Sequence, residues 1–261
     1  MTPLPGGAGV VGLDHVVLGA RELERGRRDL ADAGFSPSGG GVHVGKGTAN
    51  ELVRLSTGYL EILTVVDPSE ALAYGGSRKQ VVDFLEAVPS GLLGYALEVA
   101  DIAETREALA GRGVSTSGPH SMTRIQPDGR RIGWRTALID DRQWLTPHPF
   151  LIQWDDVDRW GASTDRHPNG VTRVSSVTVA SADLAASREV YTALGADVVD
   201  SGQHEMTLTL ADLTIRVQHP RGHARASVGL LSVSFAVEDP ADGEFLPGRL
   251  VDWLGSGQRA D

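Results

Sequence analysis

Two histidines and a glutamate lie in or beside apolar runs in the first quarter of the chain. His15 begins the run 15–18, His43 lies in a short predicted strand, and Glu61 interrupts the run 59–63. An imidazole or a carboxylate that is buried without partners destabilises a dry core by several kcal/mol. Because the spacing places these side chains on neighbouring strands, we expect them to line one polar cavity. Imidazole and carboxylate groups there could transfer protons or bind a metal ion.

A glycine-rich stretch, residues 41–50, surrounds His43 and ends at Asn50. Glycines permit sharp turns and a close approach of the backbone to a ligand. The stretch is not a phosphate-binding loop, because it lacks the strand-to-helix context and the Gly-Lys-Ser/Thr end. We interpret His43 and Asn50 as ligand-facing residues. The alternative is that Thr48 and Asn50 only stabilise a turn through side chain to backbone hydrogen bonds.

The composition excludes several classes of protein. The 34 acidic and 24 basic side chains give a formal charge of −10, and no basic run could bind a nucleic-acid backbone. The absence of cysteine leaves histidine, aspartate and glutamate as the strong metal ligands. No apolar run approaches about 18 residues, and the start of the chain lacks the pattern of a secretion signal. We therefore predict a cytoplasmic protein without a nucleic-acid or membrane partner.

A strand followed by an amphipathic helix recurs about every eighty residues. The copies begin at His15, Gly94 and Ser176, and each helix ends near a glycine. Further strand patterns follow each helix, so each unit is predicted to be βαβββ. A fourth copy begins at residues 232–239 but meets Pro240, so we expect it to be truncated.

This repeat predicts an α+β fold with the helices outside a mixed sheet. We assign residues 1–160 to a domain of two βαβββ modules, and residues 161–170, which are rich in turn formers, to a linker. Residues 171–261 then hold the third module, the truncated fourth strand and a short C-terminal helix. That helix, within residues 245–254, is predicted to cover an apolar face on Val233, Phe235 and Val237.

The alternation along each opening strand separates two faces of the predicted sheet. One face is uniformly apolar and should pack beneath the helices, with Val16, Leu18, Ala20, Tyr95, Leu97, Val99, Val177 and Val179. The opposite face is small or polar and includes His15, Gly94, Glu98 and Ser176. A sheet with these two faces can curve into a cup around a ligand.

Three motifs resemble those of the vicinal oxygen chelate superfamily, and within it those of the glyoxalase-like domain proteins. They are Leu13-Asp14-His15, the ordered set of His43, Gly47-Thr48 and Asn50, and Tyr59-Leu60-Glu61. The resemblance implies tandem βαβββ modules that build a cup-shaped site. It also implies that His15 and Glu61 are ligands of a divalent metal, for which zinc, iron, nickel and manganese are all suitable.

The second module departs from the pattern of the metal-dependent members, which take further ligands from its first and fourth strands. Gly94 stands at the position that matches His15, and the fourth strand offers only Gln153. A hydrogen-bonded pair of His15 and Glu61 without a metal is therefore the alternative. If a metal is bound, a third ligand could come from His43 or Glu98.

The basic stretch 124–135 in the second module also resembles the glyoxalase-like family. Arg135, next to Trp134, is our candidate to contact a carboxylate or carbonyl of the substrate, and Gln153 is a second candidate. In the third module the matching positions are Ser176 and, depending on the register, Thr214 or Arg216. No metal is expected there.

These features favour an enzyme with a cup-shaped site for a small oxygenated metabolite, and the resemblance implies a lyase or isomerase. Glu61 or Glu98 would move a proton at a carbon next to a carbonyl, with or without a metal. The alternative is a non-catalytic protein that binds a small molecule or drug, like the resistance proteins of the superfamily. Either protein would have a small-molecule ligand as its partner and would be a monomer or a homodimer. A third possibility, a degenerate structural module, suits the residues beyond 171.

Overall fold

The computed structural model describes residues 9–126, 128–155, 166–220 and 228–237. The first module consists of β1 (Val10–Ala20), α1 (Leu23–Asp32), β2 (Gly41–His43), β3 (Thr48–Arg54) and β4 (Tyr59–Val65). Two helices that the sequence patterns did not predict follow it, α2 (Pro68–Tyr74) and α3 (Gly76–Ala87). Asp67 caps α2 by accepting a hydrogen bond from the backbone N–H of Glu70.

The second module consists of β5 (Ser90–Val99), α4 (Ile102–Ala110), β6 (Thr116–Ile125), β7 (Arg131–Ile139) and β8 (Phe150–Trp154). The third consists of β9 (Val171–Ala180), α5 (Leu184–Ala193), β10 (Asp197–Ser201), β11 (Glu205–Leu210) and β12 (Leu213–Gln218), and β13 (Gly229–Val237) comes after it. Asp101 and Asp183 accept hydrogen bonds from backbone N–H groups in the first turns of α4 and α5. These two aspartates therefore cap their helices.

The first two modules close into one barrel, with the strand order β1-β4-β3-β2-β6-β7-β8-β5. The third module and β13 form a second sheet of five strands, in the order β10-β11-β12-β9-β13. In each module the first strand pairs in parallel with the fourth, as β1 with β4, β5 with β8 and β9 with β12. This shared pairing makes the modules comparable residue by residue, and the predicted α+β fold with a curved mixed sheet is confirmed.

One apolar core lies outside the barrel and extends into the second sheet. It contains all eight residues of the predicted apolar face, together with Leu30 of α1, Leu109 of α4 and Tyr191 of α5. The Tyr95 and Tyr191 hydroxyls form a 2.5 Å hydrogen bond across this core, and Tyr191 also donates to the carbonyl of Pro147. The sorting of faces by period two is therefore confirmed.

A second core fills part of the barrel interior. Val81 and Leu85 of α3 pack there with Val17, Leu63 and Leu93. The helix α3 connects the two modules, and these contacts place its buried face inside the barrel. The remaining space is the cavity described below.

The strand β13 is covered by the barrel. Val233 and Phe235 are buried, and the Phe235 ring meets the Phe35 ring edge-on at 5.4 Å between centroids. The predicted C-terminal helix and the first part of the linker, residues 161–165, lie outside the described residues. Within the part of the chain that the structure describes, no helix has both the length and the apolarity needed to cross a bilayer.

Candidate functional site

Strands from both modules surround a cavity of about 280 Å³ inside the barrel. The four predicted site residues of the first module all line it, each on a different strand: His15 on β1, His43 on β2, Asn50 on β3 and Glu61 on β4. All four are buried. The structure therefore brings these four side chains together around one cavity.

The Glu61 carboxylate lies at the centre of this group. Its Oε1 accepts a 2.8 Å hydrogen bond from Asn50 Nδ2 and lies 3.9 Å from His43 Nε2. Its Oε2 lies 3.3 Å from His15 Nε2. His43 is oriented by a 2.9 Å hydrogen bond between its Nδ1 and the Thr48 hydroxyl. Both imidazoles therefore turn Nε2 toward the same carboxylate.

Asp14 orients His15 from the other side of the ring. His15 Nδ1 donates to Asp14 Oδ1 at 2.5 Å, and Asp14 Oδ2 accepts a 2.8 Å hydrogen bond from Trp154 Nε1. The pairing of β1 with β5 shifts between Leu13 and His15, and this irregularity lets two consecutive side chains meet. The His15 ring also stacks on Tyr59, with 4.5 Å between the centroids.

These contacts separate the protonation states of the three groups. Burial lowers the pKa of His15, but hydrogen bonds to Asp14 and Glu61 outweigh it and raise the pKa to about 9. Burial raises the pKa of Glu61, but the hydrogen bond and charge of His15 lower it to about 2. Burial and the charge of Arg78 lower the pKa of His43 to about 3. At neutral pH the site therefore holds an imidazolium, a carboxylate and a neutral imidazole.

Two arginines also line the cavity. Arg124 of β6 is 1% exposed and donates from Nη1 to Asn50 Oδ1 at 3.4 Å. This contact and the Glu61 contact together fix the orientation of the Asn50 amide. Arg78, in the first turn of α3, is 4% exposed, and burial lowers its pKa. The cavity therefore contains two buried guanidinium groups beside one carboxylate that faces the imidazoles.

Another part of the cavity wall is aromatic. Phe150 meets the His15 ring and the Trp144 ring edge-on, with 5.4 Å between centroids in both cases. Trp134 and Trp154 pack 5.2 Å apart, and Trp134 also lies edge-on to His43. A flat or apolar part of a ligand would find its contacts on this wall.

Three predicted site residues do not line the cavity. Glu98 lies two residues beyond Ala96, the partner of His15 in the sheet, and so stands near the end of β5. Arg135 lies on the outer face of β7, 3.7 Å from Asp155, because its neighbour Trp134 points inward. Gln153 Oε1 accepts from the backbone N–H of Ile102, and its Nε2 donates to the carbonyl of Ala100.

The strand register identifies the second-module counterparts of His15 and Glu61. Glu61 pairs with Val17, two residues after His15, and in the second module Ala96 pairs with Phe150, two residues after Gly94. Glycine and phenylalanine thus replace both side chains. Gln153, the one ligand type that the sequence offered on this strand, lies three residues beyond Phe150 and binds the backbone of Ile102 and Ala100 instead.

A resident metal ion fits these residues poorly. A Cβ on Gly94 would lie only 3.3 Å from the Trp144 ring, so the indole fills the space that a second-module ligand would need. In the described ranges, no group of three or more His, Asp or Glu side chains is arranged to hold a metal ion. His15 and Glu61 instead contact each other. Their role as metal ligands stays a prediction, and the donor set is incomplete for it.

Sequence reasoning missed the cavity residues Arg78, Arg124 and Trp144, and it also missed the role of Asp14, which orients His15. Arg78 had a signal, because it precedes Val81 and Leu85 by three and seven residues and so shares their buried helix face. Arg124 also had one, since it alternates with Met122 along its strand. Trp144 lies in a loop and had no periodic signal.

The third module has different chemistry at the same positions. Arg216 pairs with Thr178, two residues after Ser176, so the register selects Arg216 rather than Thr214 as the counterpart of Glu61. Arg216 Nη1 donates to Ser176 Oγ at 3.2 Å. No acid or imidazole stands at either position.

The fold and the position of the site define a vicinal oxygen chelate protein. A crystal structure of a hypothetical protein from Staphylococcus aureus is similar with a TM-score of 0.65, at 20% identity over 83% of this chain and 87% of that one. A mutant of 4-hydroxymandelate synthase from Streptomyces coelicolor has a TM-score of 0.57, at 13% identity over 88% of this chain and 72% of that one. At these identities the likeness shows the fold.

A third similar structure is a xylose isomerase-like TIM barrel/4-hydroxyphenylpyruvate dioxygenase fusion protein. Its TM-score is 0.53, at 16% identity over 92% of this chain and 38% of that one. No curated protein sequence matches this chain. The model of the Glyoxalase-like domain matches residues 13–195, and the chain belongs to that family. This match confirms the resemblance drawn from the motifs around His15, His43 and Glu61.

Proposed function

We propose that this protein is an enzyme that moves a proton at a carbon next to the carbonyl group of a small oxygenated metabolite, in a lyase or isomerase reaction. The observation that carries the proposal is the ionised Glu61, buried in a cavity between the protonated His15 and the neutral His43. A carboxylate between two differently protonated imidazoles is suited to general acid and base catalysis.

Glu61, His15 and Asn50 have different parts in the proposed proton transfer. The Glu61 carboxylate takes the proton from carbon, and the electrons of the broken C–H bond move onto the carbonyl oxygen. His15, held by Asp14, donates its Nε2 proton or a hydrogen bond to that oxygen. Asn50 keeps the carboxylate in place. The proton then returns to a different carbon, or a leaving group departs.

Substrate binding would also adjust the basicity of Glu61. The hydrogen bond with His15 is the leading contribution that lowers its pKa. A substrate oxygen that takes over the His15 N–H removes part of that stabilisation from the carboxylate. The pKa of Glu61 then rises toward its ordinary range, and the carboxylate becomes a stronger base in the complex.

A second candidate function is non-catalytic binding of a small molecule. The aromatic wall of Phe150, Trp134 and Trp144 favours it, because stacked rings provide affinity without chemistry. The partner is a small-molecule ligand in both cases. We place the protein in the cytoplasm as a monomer or homodimer, with no nucleic-acid or membrane partner, as the charge and composition favour.

Deuterium exchange measured by NMR separates the two functions. A panel of small 2-oxo acids and neutral hydroxyketones in D2O is incubated with wild type and with Glu61→Gln. We expect exchange next to a carbonyl to fall by about 10²- to 10⁴-fold in the variant. Glu51→Gln is the matched control, since Glu51 follows Asn50 on β3 and forms an ion pair with Arg27.

Each outcome decides between the assignments. Glu98→Gln is assayed in the same way. If deuterium exchange falls in Glu98→Gln and not in Glu61→Gln, Glu98 is the base. If wild type binds members of the panel without exchanging any of them, the protein is a binding protein.

A further inference from the structure

Arg78 is a buried cation whose guanidinium is not fully hydrogen-bonded by the described residues. It lies on the same face of α3 as Val81 and Leu85, which pack into the barrel interior. Its Nε has no hydrogen-bond partner among the described residues. The negative charge of Glu61 attracts the guanidinium, but the described residues show no hydrogen bond between these two side chains. A guanidinium that is buried in this way strongly destabilises the fold unless a ligand supplies the missing hydrogen-bond acceptor.

Two further polar atoms in the same cavity lack partners. Trp144 Nε1, a donor, and Gln80 Oε1, an acceptor, are both buried without a hydrogen bond to any described residue. Gly76 and Ser77, at the N-terminus of α3, line the same cavity. A helix N-terminus carries a partial positive charge and favours an anion. We call this group of residues 76–78, 80 and 144 the Arg78 pocket.

We propose that the Arg78 pocket binds the carboxylate of a small oxo or hydroxy acid, and that this acid is the substrate. The edge of the Arg78 guanidinium receives the two carboxylate oxygens, the Trp144 N–H adds a donor, and Gln80 Oε1 accepts from a hydroxyl of the ligand. The proposal rests on the function proposed above, because it names the substrate class of that site.

A carboxylate fits this pocket better than a phosphate. A planar pair of oxygens matches the fork of one guanidinium. The cavity of about 280 Å³ also limits the ligand to a small molecule. With its carboxylate held on α3, such an acid has its neighbouring carbons in the cavity that contains Glu61.

Calorimetric titration of the full chain tests the proposal, with pyruvate and 2-oxobutyrate as probes. Hydroxyacetone is the neutral counterpart, and inorganic phosphate is the alternative anion. We expect the oxo acids to bind at least about tenfold more tightly than hydroxyacetone, and Arg78→Met to weaken them by a similar factor. Arg173→Met is the matched control, because Arg173 lies in the third module and pairs with Asp212.

A second variant covers the case in which Arg78→Met fails to fold. Arg78→Lys keeps the positive charge but loses the planar fork, so we expect it to bind the oxo acids with reduced affinity. Equal affinities in wild type and Arg78→Lys would overturn the bidentate role. Tighter binding of phosphate than of both oxo acids, or the same affinity for hydroxyacetone, would overturn the carboxylate assignment. No binding of either acid would also overturn it.

The failure of this proposal can be told apart from the failure of the proposed enzyme. Glu61→Gln removes the base but leaves Arg78 in place. If the acids bind through Arg78 but wild type exchanges no deuterium, the carboxylate pocket is supported as a ligand site. The proposed enzyme activity is then refuted. If hydroxyketones exchange deuterium through Glu61 while no acid binds, the enzyme stands and the carboxylate pocket is refuted.

Discussion

His15 should make folding depend on pH in a way that can be measured. Its pKa rises from 6.5 to about 9 in the folded protein. The difference of about 2.5 pH units corresponds to about 3 kcal/mol, at roughly 1.4 kcal/mol per unit. Because the folded state holds the proton more tightly, this contribution to the free energy of unfolding is complete below pH 6.5. It is lost as the pH rises from 6.5 through about 9.

The test is a pair of urea-unfolding series on wild type and His15→Gln, with a chelator present. We expect the difference in the free energy of unfolding to shrink by about 3 kcal/mol between pH 6 and pH 10. The variants Glu61→Gln and His15→Gln/Glu61→Gln complete a double-mutant cycle. Its coupling energy isolates the share due to the 3.3 Å contact between the two side chains.

A difference that stays constant from pH 6 to pH 10 would refute this reasoning. It would mean that His15 gains no proton affinity from Asp14 and Glu61 on folding. His15 would then be neutral in the native site, which is the state that a metal ligand requires. The proposed proton transfer would then lack His15 as its general acid.

Three further outcomes are expected. As the pH falls from 6.5 through about 3, wild type should lose stability relative to His43→Gln in thermal melts, because the pKa of His43 is lower in the folded state. Tyr191→Phe should lower the free energy of unfolding by about 1 to 3 kcal/mol in urea titrations, since the Tyr95 hydroxyl and the Pro147 carbonyl lose a partner. Calorimetry with zinc or manganese should give no tight binding to chelator-treated protein; tight 1:1 binding that is abolished in His15→Ala would establish the predicted metal site.

The repeat and one half of the site could be predicted from local patterns. Alternation with period two places His15 and Glu61 on the inner face, and it does so whatever the distant contacts are. The strand pattern around His43 and Asn50 is equally local. These residues needed only the fold of a single module to be brought together.

The other half of the site depends on how the modules meet. Arg78 reaches the cavity because α3 runs between the modules and packs inside the barrel. Trp144 reaches it from a loop, against the bare backbone of Gly94. The helical period places Arg78 on the face of Val81 and Leu85 but does not predict that this face enters the barrel, and Trp144 has no periodic signal. Arg135 does not line the cavity for a local reason, because neighbouring strand residues face opposite sides and Trp134 takes the inner one.

The two positions occupied by His15 and Glu61 carry different side chains in the three modules. Gly94 and Phe150 hold the pair in the second module, and Ser176 and Arg216 hold it in the third, with the same parallel register. One backbone geometry thus carries an acid–base pair, an aromatic wall and an arginine–serine hydrogen bond. Because the backbone is shared, it cannot by itself supply the proposed activity. The proposed acid–base chemistry rests on the side chains of the first module, and the proposed ligand selection rests on the residues that α3 and the second module add around them.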